Sequence, residues 1–159
     1  MANIEMELFN HLRAIIRALE REKTPYALCG GLAMAVHGLP RATIDIDILI
    51  EEPSLEKVKA IGRENGFTID AGLMAFKKGE MKIYRLTKID PDGDDALMLD
   101  MILVTPLLEK VWESRFEVQW EDGPLWVVSR EGLVEMKRHR VSGRDIDDIA
   151  FLEGKDDGR

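Results

Sequence analysis

Between Ile44 and Ile50 the chain reads IDIDILI, and no other run restricts its fold as much. Isoleucine is β-branched and favours extended backbone, whereas aspartate is among the poorest strand formers. Side chains alternate across a strand, so Ile44, Ile46, Ile48 and Ile50 share one face while Asp45, Asp47 and Leu49 share the other. The isoleucine face needs something apolar to cover it, and the two carboxylates emerge side by side at or near a strand end. The run therefore predicts a strand carrying two acids on one face.

The neighbouring segments supply what packs on that strand. Leu8, Leu12, Ile15, Ile16 and Leu19 recur at helical spacing, predicting an amphipathic helix over Met6 to Arg21 that Thr24-Pro25 stops. Tyr26 to Cys29 reads as a short buried strand; Gly30-Gly31 then opens a short helix ended by Gly38 and Pro40. Ser54 can cap a helix running to Asn65-Gly66. A β-rich stretch follows, with strands predicted over Phe67 to Ile69, Leu73 to Lys77, Met81 to Leu86 and Leu97 to Val104. Its turns fall at Lys78-Gly79 and Pro91 to Asp94. Pro106 begins a short helix through Trp112, Phe116 to Trp120 and Leu125 to Val127 form a hairpin around Asp122-Gly123, and Ser129 caps a helix over Glu131 to Lys137. A last helix is expected from Gly143 to Leu152, and Glu153 to Arg159 reads as a tail. The whole is an α+β, or mixed α/β, domain over residues 1–152, a mixed sheet with helices packed against it.

Composition narrows the function classes. Of the 159 residues 45% are hydrophobic, enough for a sizeable core and too many for a disordered chain. The formal charge of −8 argues against a broad nucleic-acid or anionic-membrane footprint. Cys29 is the single cysteine, which excludes an internal disulfide framework and makes a reducing cytoplasm the expected compartment. No signal peptide is evident, and the apolar runs Tyr26 to Val36 and Ala96 to Val104 fall short of a membrane span, so no membrane partner is expected.

The chemistry gathers on three acids. Asp45 and Asp47 are like charges in need of a counter-ion, and Asp100 lies inside the apolar run ALMLDMILV. A carboxylate there costs several kcal/mol unless it is paired, hydrogen-bonded or metal-bound. Three acids on adjacent strands would suit Mg²⁺, a hard ion that favours carboxylate and phosphate oxygens. The residues alone also allow a plainer reading, in which Asp45 and Asp47 are a solvated strand face and Asp100 caps a backbone or pairs with an arginine. The turn Gly30-Gly31 lets backbone N–H groups approach a phosphate, although glycine also serves any tight turn. Arg41 could fork a phosphate and Thr43 could position the acidic strand or hydrogen-bond substrate.

Other residues read more simply. His37 is expected to cap or pack, Cys29 to fill core, and Trp112, Trp120 and Trp126 to pack core or cover a hairpin. Lys77, Lys78, Lys82, Arg85 and Lys88, with Tyr84, form a basic hairpin that reads first as a solvated strand edge and second as a guide for an RNA end.

The run CGGLAMAVHGLPRATIDIDILI resembles the signature of the DNA polymerase β-like nucleotidyltransferase superfamily, in which Gly-Gly or Gly-Ser precedes Asp-x-Asp and a third Asp follows. Its pattern of Gly-Gly, Ala, His-Gly and Arg-x-Thr-x-Asp-x-Asp is most similar to small bacterial AbiEii-type enzymes, toxins of toxin–antitoxin or phage-exclusion systems. The similarity continues through Leu133 to Lys137 and Gly143 to Asp148. This resemblance implies a nucleotidyltransferase fold and metal-dependent transfer of an NMP from an NTP such as ATP to a hydroxyl acceptor. Asp45, Asp47 and Asp100 match the catalytic, metal-binding acids for Mg²⁺ or Mn²⁺. Gly30 and Gly31 match the phosphate-binding turn, Lys137 a nucleotide-contacting lysine and Asp148 a late acid, while Arg144 and Asp145 fall in the matching C-terminal motif. The chain departs from the wider superfamily in carrying Gly31 where Ser is common, and in having no large helical extension to grip an acceptor. The acceptor classes implied are an RNA end such as tRNA, a protein or a small molecule, and the partner classes an antitoxin or a helical protein. Two other classes stay open: a catalytically weak nucleotide-binding or partner-binding module of the same fold, and a different Mg²⁺ enzyme such as a nuclease or phosphohydrolase.

Overall fold

The computed structural model describes residues 4–38, 45–89 and 96–139. Arg41, Thr43, Arg144, Asp145 and Asp148, the Pro91 to Asp94 turn, the expected helix from Gly143 and the tail from Glu153 lie outside them. The described helices are α1 (Ile4–Arg21), α2 (Gly30–Val36), α3 (Leu55–Glu64), α4 (Glu109–Glu113) and α5 (Arg130–Arg138). The strands are β1 (Ala27–Cys29), β2 (Asp45–Ile50), β3 (Ile69–Phe76), β4 (Met81–Ile89), β5 (Ala96–Leu103), β6 (Phe116–Trp120) and β7 (Gly123–Val127). The seven strands form one mixed sheet in the order β3-β4-β5-β2-β1-β7-β6. The pairs β2/β5 and β1/β7 are parallel and the other neighbours antiparallel. Among the described residues no helix is long and apolar enough to cross a membrane.

The isoleucine face of β2 is buried as its alternation predicts. Ile46, Ile48 and Ile50 have no exposed surface, each contributing about 1.5–3 kcal/mol of burial. In register, Ile46 lies beside Leu99 and Leu99 beside Leu86, and a Cβ on Gly62 of α3 would meet the side chains of both leucines. Helix α3 therefore lies directly on this face, and its glycine allows the close approach. Helix α1 packs alongside, with His11 edge-on to Phe67 at 5.6 Å and accepting from Lys88 Nζ at 2.6 Å. The opposite face carries Asp45 and Asp47, but Leu49 on that face is also fully buried, so only its amino-terminal half is open.

Local structure departs from expectation at two places, β3 and Ser54, and follows it at Ser129 and at the end of α1. The two short strands predicted around Gly72 are one strand, β3, whose register shifts between Asp70 and Gly72; the Gly72 N–H donates to Asp70 Oδ1 at 2.8 Å and its φ of +81° suits glycine. Ser54 makes no side-chain cap, because α3 is entered through a 3₁₀ turn over Glu52–Ser54 that holds Ser54 in helical backbone. Ser129 does cap α5, its Oγ accepting from the Gly132 N–H at 3.0 Å. Helix α1 ends before Pro25: Lys23 turns left-handed and Thr24 N–H donates to Leu19 O at 2.9 Å.

Candidate active site

The three acids meet because β2 and β5 are parallel neighbours. Asp47 lies directly opposite Asp100, and Asp45, two residues away on the same strand, shares their face. One carboxylate oxygen from each falls within 4.8 Å of the others. Asp45 and Asp47 are half-buried and Asp100 is 5% exposed. Three hard oxygen donors at that separation fit a Mg²⁺ or Mn²⁺ ion.

A fourth charge completes the row. Arg85 on β4 is the cross-strand partner of Asp100, with Nε donating to Oδ1 at 2.7 Å and Nη2 to Oδ2 at 2.9 Å. This fork holds the arginine above its ordinary pKa, first through the Asp100 hydrogen bonds and further through the charges of Asp45 and Asp47. Arg85 is thus no solvated edge charge, as its place in a basic hairpin suggests. Alternation turns it to the acid face together with Ile83, while Lys82, Tyr84 and Lys88 face the other way. Tyr84 donates to Asp70 Oδ2 at 2.6 Å and Lys88 to His11, so these residues belong to the helix-covered side. The arginine pair of the plainer reading and the three-acid cluster of the other occur together at Asp100.

The glycine turn has a steric cause. Gly30 follows the extended Cys29 and adopts φ +69°, where an L side chain is strained. A Cβ there would lie 2.7 Å from Asp47 Cγ and 2.8 Å from its Cβ, so the carboxylate occupies the space a side chain would take. The strained position is Gly30; Gly31 lies in the first turn of α2 without a positive φ.

The acids open into a cleft of about 380 Å³, within the usual range for small-molecule sites. Gly30, Asp45, Asp47, Arg85, Asp100 and Lys137 line one part of it. Met74, Phe76, Met81, Ile83 and Ile102 line another, continuing the acid face along β3, β4 and β5. Helix α5 brings Lys137, as well as Leu133 and Met136, to the cleft wall. His37 packs instead: its Nε2 donates to Val128 O at 2.9 Å, and its ring lies 6.0 Å from Phe116. Cys29 is fully buried. Trp112 is core, with the Arg115 guanidinium 3.8 Å from its ring.

No protein-family model matches the sequence, and comparison with curated proteins gives no match. Solved structures do. The antibiotic-resistance factor ANT(2'')-Ia superposes with a TM-score of 0.61 at 14% identity, over 90% of this chain and 80% of its own. A Thermotoga maritima protein assigned as a nucleotidyltransferase superposes with a TM-score of 0.59 at 19% identity, over 96% of this chain and 94% of its own. The chain has the nucleotidyltransferase fold. ANT(2'')-Ia in complex with adenylyl-2''-tobramycin gives a TM-score of 0.56 at 14% identity, over 89% of this chain and 84% of its own. On this nucleotidyltransferase fold the acid pair and Asp100 occupy neighbouring central strands, Gly30 and Lys137 border the same opening, and Gly31 follows Gly30 in the first turn of α2. Arg85 is the site residue that sequence reasoning missed. Its signal is an arginine at an alternate position among Met81, Ile83 and Thr87, which gains meaning only when β4 is registered against β5.

Proposed function

We propose that the protein is a metal-dependent nucleotidyltransferase that moves an NMP from an NTP to a hydroxyl acceptor. The observation that carries the reading is the row in which Asp47 faces Asp100 across β2 and β5 with Asp45 on the same face, their oxygens within 4.8 Å. Asp45, Asp47 and Asp100 would hold Mg²⁺ or Mn²⁺, which supplies neutralisation of triphosphate charge and a lowered pKa for the acceptor hydroxyl. Lys137, half-buried on the cleft wall, would attract the triphosphate. Gly30 and Gly31, at the start of α2, would offer backbone N–H groups to phosphate beside the acids. Arg41 and Thr43 precede the acid strand and would add phosphate and substrate contacts. Asp100 is fixed by its fork and can take the acceptor's proton through an oxygen lone pair that Arg85 leaves unused.

The adenylyl-2''-tobramycin in complex with ANT(2'')-Ia supports an adenylyl donor such as ATP and a small hydroxyl compound as acceptor; an RNA end or a protein is the other acceptor class that the motif run implies. The AbiEii-like motif run supports a toxin paired with an antitoxin, and the lone buried Cys29 a cytoplasmic one. The test is incubation of purified protein with each α-³²P NTP, Mg²⁺ or Mn²⁺, and total RNA or lysate. A labelled band that disappears in Asp47→Asn is the expected result. No labelled product with any of the four nucleotides, and no metal-dependent rise in melting temperature with them, overturns the reading.

A further inference from the structure

We propose that Arg85 is a counter-cation of the acidic cluster, which helps to make three adjoining carboxylates tolerable in the metal-free protein and tunes how tightly a divalent ion binds there. This rests on the cluster being a metal site. Four residues on four adjacent strands fall in one cross-sheet row: Asp47, Asp100, Arg85 and Gly72. Gly72 presents no side chain to Arg85, so on the outer side the guanidinium meets no charged neighbour from that row. Its partner in the row is Asp100, through both Nε and Nη2.

The fork does not exclude an ion from Asp100. A carboxylate oxygen has two lone pairs, so Asp100 can accept Arg85 and still offer a ligand atom toward Asp45 and Asp47. Arg85 therefore stays in place when an ion binds, and its charge stays with it. The guanidinium offsets one unit of the three carboxylates' charge, which lowers the cluster's pull on a divalent ion. Without the guanidinium the metal-free cluster repels itself more strongly and draws cations more strongly. A second effect opposes the latter, because Asp100 loses its fixed orientation. A unit charge hydrogen-bonded to a ligating carboxylate outweighs one aspartate rotamer, so tighter metal binding is the net result. With Arg85 present, the ion is held weakly enough that triphosphate oxygens contribute materially to its binding, linking metal loading to nucleotide.

The experiment compares wild type, Arg85→Met and Arg85→Lys by Mn²⁺ titration calorimetry without nucleotide, and by thermal melts in EDTA and in Mn²⁺. Arg85→Met is expected to melt several degrees lower in EDTA, to bind Mn²⁺ about tenfold more tightly than wild type, and to gain more melting temperature from Mn²⁺. Arg85→Lys keeps the charge without the fork and should bind Mn²⁺ within about twofold of wild type. Should Arg85→Met fail to fold, Arg85→Gln replaces it, since it retains a donor toward Asp100 but no charge, and the same tightening is expected. Unchanged or weaker Mn²⁺ binding in the neutral variant, with wild type still binding, overturns this role alone and leaves Arg85 a structural partner. Failure of both proteins to bind Mn²⁺, with or without nucleotide, overturns the metal site itself and the proposed function with it.

Discussion

At the centre of the sheet Asp100 is forked by Arg85 at 2.7 and 2.9 Å; at its β3 edge Asp70 accepts from Tyr84 at 2.6 Å, from the Gly72 N–H at 2.8 Å and from Arg63 at 3.4 Å. By number of hydrogen bonds the edge aspartate is the better served. The central one is the more dependent on its partner. Strands on both sides leave Asp100 5% exposed beside two further acids, so water cannot replace the arginine. Asp70 stands on an exposed edge strand where water takes over any bond that is lost. The same residue type with the same kind of partner belongs to the candidate site in one region and is a surface fastening in the other, and burial with neighbouring charge makes the difference.

The largest expected effect tests the same contrast in two glycines. Gly30 and Gly72 both have positive φ, +69° and +81°, but a Cβ at Gly30 would run into Asp47 whereas one at Gly72 meets nothing within 4 Å. Gly72→Ala should cost about 1 kcal/mol, the left-handed backbone penalty alone, and Gly30→Ala about 3 kcal/mol because Asp47 must also move. Urea melts give both values, and a nucleotide titration in Mg²⁺ should show weakened binding only in Gly30→Ala. Equal costs would mean that Asp47 yields freely and that centre and edge do not differ there.

Next in size is removal of the acids. Asp100→Ala should cost the metal-free protein about 2 kcal/mol, less than the loss from a fully buried pair because the Arg85 side chain is 33% exposed. Asp70→Ala should move the urea midpoint far less, and comparable losses in the two variants would break the comparison.

The smallest effect sharpens the edge description through pH. Tyr84 first, then the Gly72 N–H and the charges of Lys59 and Arg63, hold the Asp70 carboxyl below its ordinary pKa of 3.8. A group whose pKa is lowered on folding stabilises the fold above its unfolded pKa, and that contribution fades as pH falls through the folded value. The stability difference between wild type and Asp70→Asn should accordingly be constant from neutrality to about pH 4 and shrink below it. Thermal melts across the acid range check this, and a difference that grew on acidification would contradict it.

Much of the site was legible from residues because its signals are local. The alternation IDIDILI determined a strand, its buried face and the face of its acids, since side-chain period follows from backbone geometry alone. The apolar run around Asp100 marked a carboxylate that needed a partner, and the acid strand, Gly30-Gly31, the cap at Ser129 and the Asp122-Gly123 hairpin stand where local chemistry puts them. Other features depended on contacts between distant segments. Whether Gly72 ends a strand or bulges it was decided by pairing of β3 with β4, and the Ser54 cap was lost to the 3₁₀ entry of α3. Arg85 is the clearest case: within its own hairpin it reads as one of five cations, and only the register of β4 on β5 makes it the partner of Asp100. Register and strand order arise from burying several segments together, an energy that no single segment contains, so the tertiary structure alone decided which acid and which base share a row.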